Sequence, residues 1–157
     1  MPVAELLRRP ASGRYQMIAL CALALSLATV ADSMRFEIVL PDSVRAGEPV
    51  PVTLRLTNTG REELTVYLQG RPIAFDLTVR RLDGTIVWRR LEGEVVSAIL
   101  AVRQLKPGAS LEFEEVWRQV SNTGEAVPSG DYRITGALLT DAPEPLQTSP
   151  ALLRIVP

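Results

Sequence analysis

Glu112, Glu114 and Glu115 are the nearest this chain comes to a set of carboxylates that could work together, as an acid/base pair or as oxygen ligands for calcium. On a strand, Glu112 and Glu114 share one face while Leu111 and Phe113 point to the other, so the expected place for the two glutamates is a solvated surface. No Asp-x-Asp spacing accompanies them. Two arginine pairs, Arg80-Arg81 and Arg89-Arg90, flank Asp83-Gly84. If they lie opposite one another, Asp76, Glu92 or Glu94 must relieve the repulsion, and a solvated hairpin is favoured over an anion site.

Two absences narrow the chemistry further. The chain has no His, the side chain most used as a general base near neutral pH and the commonest metal ligand. Its one Cys, Cys21, lies within an apolar run. Ser-His-Asp, Cys-His and zinc-dependent mechanisms are therefore excluded in their usual forms, and no disulfide can support the body. Carboxylate-only chemistry survives, but no spacing commits two carboxylates to one cleft. Neither GxGxxG nor GxxxxGK[ST] follows a strand. A net charge of −1 offers no electrostatic footprint for nucleic acid. The expectation is a protein with no catalytic residues, metal or cofactor, acting by binding another protein.

The elements that would position such a binding surface are strands. Apolar content of 46% suits a globular fold. From Phe36 the hydrophobic period is two: Phe36, Ile38 and Leu40 alternate, and Val50, Val52, Leu54 and Leu56 make the clearest half-buried strand. Pro51 cannot donate to a ladder, which suggests an edge or a strand start. Asn58-Thr59-Gly60 supplies a turn, through residues that tolerate positive φ. Leu64, Val66 and Leu68 form a further strand, as do Phe75, Leu77 and Val79. Asp83-Gly84 then signals a type I′ hairpin leading to Ile86, Val87 and Trp88. Leu105 to Gly108 turns the chain into Leu111, Phe113 and Trp117. Ser121 to Gly130 is a turn-rich loop, Tyr132, Ile134 and Gly136 form a strand, and Leu152 to Val156 closes the sheet. Leu91 to Val102 alternates poorly and is compatible with an irregular strand or a helical turn. About seven or eight short strands predict an all-β, immunoglobulin-like sandwich over residues 34–157.

Residues 1–33 read differently. Met17 to Val30 is almost wholly apolar, with Arg8, Arg9 and Arg14 upstream and Asp32 downstream, and small residues stand at Ala28 and Ala31. These are the parts of a secretory signal peptide, and the run is short for a spanning helix. Export to the periplasm or the outside is the leading expectation. A true start at Met34, with a cytoplasmic protein, and an uncleaved anchor, the one route to a membrane, are the alternatives. Leu20 stands where a lipoprotein needs a small residue, which argues against lipidation at Cys21.

Within the body, Gly130-Asp131-Tyr132 has the form of a tyrosine corner, in which a buried ring sends its hydroxyl back to an earlier backbone group. Trp88 and Trp117 are expected in or beside the core. All three roles are structural.

Taken in order, Leu54 to Asn58, Ala74 to Val79, Asp83-Gly84, Val87-Trp88, Leu105 to Gly108, Phe113 to Trp117 and Val127 to Tyr132 resemble the intracellular proteinase inhibitor family named for the BsuPI protein. The resemblance spans about residues 36 to 140, and its matching positions are core and turn residues. It implies an immunoglobulin-like sandwich and inhibition of serine proteinases, without implying which residues inhibit. The signal-like segment departs from a family named for an intracellular protein. An inhibitor needs a rigid convex loop, and three regions qualify: Gln69 to Ile73, Ser121 to Gly130, and Ala142 to Ser149. Pro72, Pro128, Pro143 and Pro145 stiffen them. Arg71 suits a trypsin-like pocket and Leu146 a subtilisin-like one. The alternative is an exported structural or adhesive module of the cell envelope, pairing through a sheet edge or face.

Overall fold

A computed structural model describes residues 33–157, and the segment read as a signal peptide or anchor lies outside the described residues. Two sheets face one another. In the first, β1 (Met34–Val39), β3 (Val50–Asn58) and β8 (Ser110–Trp117) pair antiparallel with β3 central. In the second, β2 (Ser43–Arg45), β11 (Ala151–Val156), β9 (Gly130–Leu138), β5 (Phe75–Arg81) and β6 (Ile86–Arg89) follow in that order, and β10 (Leu146–Gln147) adds to the edge of β9. A separate pair, β4 (Leu64–Gln69) with β7 (Leu100–Leu105), lies alongside the chain beyond β9: Gln69 N donates to Leu139 O at 2.9 Å and Asp141 N to Tyr67 O at 3.2 Å. The fold is an all-β, immunoglobulin-like sandwich.

Alternation explains the core. On β3, Val50, Val52, Leu54 and Leu56 are buried while Pro51 is exposed, and they meet Leu77, Val79, Ile134, Leu138, Leu153 and Ile155 of the opposing sheet. Fully burying such a side chain is worth about 1.5–3 kcal/mol. Leu54 of β3 lies close against the backbone of β9 at Gly136. A Cβ on Gly136 would overlap the end of the buried Leu54 side chain, so any larger residue there forces Leu54 to move. The gap between β10 and β11 is closed by Thr148, which donates its N–H to Gly136 O and accepts from Gly136 N through Oγ1, both at 2.9 Å.

Several local expectations need correction. The chain has eleven strands among the described residues, the extra ones being short segments such as β2 and β10, and the irregular region yields β7. The Asp83-Gly84 turn is not type I′, because of its two central residues only Gly84 has positive φ (92°). Gly84 N donates to Arg81 O at 3.0 Å and Arg81 N to Thr85 O at 2.9 Å, with Asp83 Oδ1 accepting from Thr85 N at 2.8 Å. This is the longer hairpin in which a left-handed Gly follows a turn, and the β5–β6 register shifts at Val79/Arg80. The Thr85 amide also holds the Asp83 carboxyl below its usual value. Asn58 acts through its side chain rather than positive φ. It is fully buried, its Nδ2 donates to Glu62 O and Leu105 O at 2.7 Å, and its Oδ1 accepts from Gly60 N at 2.9 Å. Pro51 stands near the start of a central strand, opposite Val116 and beyond the last β1 pairing at Thr53, so no β1 partner needs its missing N–H.

Candidate functional site

The chain leaves β6 under strong local constraint. Asp76, 4% exposed, accepts from Arg89 Nε at 2.5 Å and from Leu91 N at 3.0 Å. Arg90 reaches back across the sandwich edge. Its Nε donates to Glu115 Oε2 at 2.7 Å, its Nη1 to Phe75 O at 2.9 Å, and its guanidinium lies 3.9 Å over the Phe75 ring. A cation over an aromatic face combined with a paired carboxylate fixes the arginine and ties β5 to β8. Two of the four arginines flanking the Asp83-Gly84 hairpin are thus relieved, by Asp76 and Glu115. The expected partners Glu92 and Glu94 form no ion pair there.

From this anchor a turn through Gly93 (φ 74°) closes with Glu94 N donating to Leu91 O at 3.1 Å. Residues 94–99 then run without regular structure until β7 begins at Leu100. The far end is held as well, because Ile99 O accepts from Gly70 N at 2.8 Å. Gly70 is in turn confined to glycine: its φ is 93°, and a Cβ would lie 2.7 Å from Pro72 O. Between those two ties, Val95 to Ala98 make no backbone–backbone hydrogen bond with any described residue; the nearest polar contact is Ile99 N to Ser97 Oγ at 3.4 Å. Val95 is 95% exposed and Ile99 53%, whereas Val96 is half-buried. From Val95 to Val102 no residue is charged. The apolar surface continues onto the pair that follows: Tyr67 and Val102 stand directly opposite, 44% and 51% exposed, and Leu100 (47%) faces Gln69.

The residues expected from sequence distribute unequally around this surface. Arg71 and Pro72 are exposed in the turn after β4, joined by a cis peptide bond, and that turn touches the 94–99 segment through the Gly70–Ile99 bond. Pro128 is exposed in Ser121 to Gly130, but that loop is bound to its surroundings. Asn122 Oδ1 accepts from Arg89 N at 2.7 Å, Asn122 Nδ2 donates to Arg89 O at 2.9 Å, and Ser121 N donates to Glu125 O at 2.8 Å. Tyr132, 2% exposed, donates its hydroxyl to Pro128 O at 2.6 Å, and burial pushes its phenol above the usual value although Arg81 pulls the other way. Leu146 is half-buried on β10 and packs against the core, so its side chain is not free to fill an outside pocket. Trp117 is 1% exposed with its ring centroid 6.0 Å from Tyr132; Trp88, half-buried, stands 6.2 Å from Trp117. Glu112 pairs with Arg55 at 2.7 Å on the outer face of the first sheet.

Sequence reasoning did not single out Val95 or Gln119. Gln119 is 2% exposed and is the one non-glycine with positive φ (57°) among the described residues. Its Nε2 donates to Arg45 O at 2.7 Å and to Glu48 O at 2.6 Å, and its Oε1 accepts from Gly47 N at 2.9 Å. It fastens the β2–β3 turn from afar. The signal for Val95 was present as an uncharged stretch between Glu94 and Arg103 in which Ser97 is the one turn former.

Comparison with known proteins gives one family. Residues 31–143 match the model of BsuPI, intracellular proteinase inhibitor. No curated protein matches the chain. Among solved structures, the sporulation control protein Spo0M of Bacillus subtilis is similar at 12% identity and a TM-score of 0.47; 80% of this chain is covered, and the chain spans only 50% of that one. The CARDB domain of the PF1109 protein of Pyrococcus furiosus is similar at 15% identity and a TM-score of 0.41, over 78% of this chain and 87% of that one.

Proposed function

The chain belongs to the BsuPI family of intracellular proteinase inhibitors, and from that premise we propose that it blocks a serine proteinase by binding through an exposed loop, without catalysis of its own. The observation that carries this reading is the segment 94–99. It is tied at both ends, at Glu94–Leu91 and at Ile99–Gly70, with unpaired backbone and an outward valine between. Holding a loop extended before contact lowers the ordering entropy of association and so raises affinity. Arg71 and Pro72 lie on the neighbouring turn, and an inhibitor interface of roughly 800 Å² per partner is wide enough to cover both turns.

Titrating the full chain against trypsin-like, subtilisin-like and elastase-like serine proteinases tests the reading. Inhibition of one class at micromolar concentration or below supports it, and undiminished activity of all three removes it for these classes. The compartment decides which proteinase is met. Export directed by residues 1–31 is part of the proposal, and sequencing the N-terminus of protein recovered from cell fractions tests it. A mature chain beginning near Asp32 supports export; an intact cytoplasmic chain overturns it.

A further inference from the structure

We propose that Val95 is the side chain that enters the specificity pocket of the proteinase, and that the enzyme inhibited is an endopeptidase whose pocket takes a β-branched aliphatic residue. The inference rests on the inhibitor reading and makes it specific to one residue and one class of pocket. A proteinase cleft binds chain as an added strand: it pairs with the backbone and reads alternate side chains in pockets. Among the described residues, Val95 to Ala98 offer what that mode uses. Their backbone donors and acceptors are not spent on one another or on the rest of the fold. Val95 points outward at 95% exposure while the next residue, Val96, is half-buried, so of the two valines Val95 is the one presented.

Chemistry then selects the pocket. The run Val95 to Val102 carries no charge, and the exposed Ile99, Leu100, Val102 and Tyr67 continue the apolar surface beside it. A trypsin-like pocket, with a carboxylate at its base, is left with a buried unpaired charge when valine occupies it. Arg71, next to Gly70, sits on the neighbouring turn rather than on the free backbone. A pocket sized for valine discriminates against a side chain one methylene larger or smaller by about tenfold to two-hundredfold.

The test is made with the full chain against an elastase-like and a trypsin-like proteinase, using wild type, Val95→Asp, Val95→Arg and, as a control on another exposed apolar residue, Leu152→Asp. The wild type is expected to inhibit the elastase-like enzyme more strongly. Val95→Asp is expected to weaken that inhibition at least about a hundredfold, Val95→Arg to shift the preference towards the trypsin-like enzyme by a similar factor, and Leu152→Asp to leave inhibition unchanged. Circular dichroism spectra matching the wild type tie these losses to the site rather than to unfolding. A wild type that inhibits while Val95→Asp inhibits equally well overturns the assignment of Val95 and leaves the inhibitor reading standing. A wild type that inhibits neither these enzymes nor a subtilisin-like one overturns both.

Discussion

Two loops of this molecule, both exposed, differ in how they use their backbone. Ser121 to Gly130 is rich in Ser, Asn, Thr, Gly and Pro, and it spends those residues on itself and its neighbours. Asn122 grips the backbone of Arg89 from both sides, Ser121 and Glu125 close a turn, and Pro128 accepts the Tyr132 hydroxyl. The 94–99 segment has none of these turn formers beyond Ser97, and between its two end ties its backbone bonds to no backbone group of the described residues. Residues that make a loop conspicuous in a sequence are those that satisfy it internally. A segment held at its two ends by distant anchors leaves its donors, acceptors and side chains unspent.

That contrast predicts opposite responses to substitution: stability loss without loss of inhibition in the first region, and the reverse in the second. The largest expected loss of stability is at Gln119, which leads into the satisfied loop. Gln119→Ala takes the side-chain partner from Gly47 N and Glu48 O and one of the two donors from Arg45 O, and is expected to cost about 2 kcal/mol in urea denaturation. Gln119→Gly should lose less, because glycine carries the left-handed φ without a Cβ penalty. Equal losses for the two variants, or none, break the contrast.

Tyr132→Phe removes one buried hydrogen bond and is expected to cost about 1 kcal/mol at neutral pH. The sign of its pH dependence follows from burial. The folded-state phenol titrates above the usual 10.0, so its contribution is whole below that pH and fades as pH rises through the folded value, where the donor is lost. The difference between Tyr132→Phe and wild type should therefore shrink in strong alkali; a gap that widens contradicts the assignment. Asn122→Ala, at a more exposed position, is expected to lose about 0.5 kcal/mol. Val95→Ala should change stability by less than about 0.5 kcal/mol, since almost all of its side chain is already in water. A loss of several times that size at Val95 makes the segment part of the fold's support and removes its freedom to serve a partner.

Much of the sandwich could be read directly. Strand β3 declares itself through Val50, Val52, Leu54 and Leu56, because a two-residue period with one buried face has few other solutions. Tyr132 and Trp117 were legible from type and position. The Asp83-Gly84 turn was placed correctly and typed wrongly, since the dipeptide also suits a longer hairpin and the bulge at Val79/Arg80 is a property of the pairing. Gln119 was invisible because its partners lie 71 to 74 positions away along the chain, and nothing in a lone glutamine reveals them. The 94–99 segment was passed over for a related reason. Its anchors are Asp76, Phe75, Glu115 and Gly70, all contributed by other strands and turns, so local periodicity reports only that the region is irregular.

Hydrogen exchange bears most directly on the claim that the free backbone of residues 95–98 is what a proteinase takes. Amides of the full chain are followed alone and with an elastase-like proteinase whose catalytic serine has been blocked by substitution. Alone, Val95, Val96 and Ala98 should exchange fast while Ser121, Asn122 and Val127 are slowed. With the proteinase bound, new protection is predicted at 95–98 and little change at 121–130. Protection that appears at 121–130 while 95–98 continues to exchange freely would contradict the account.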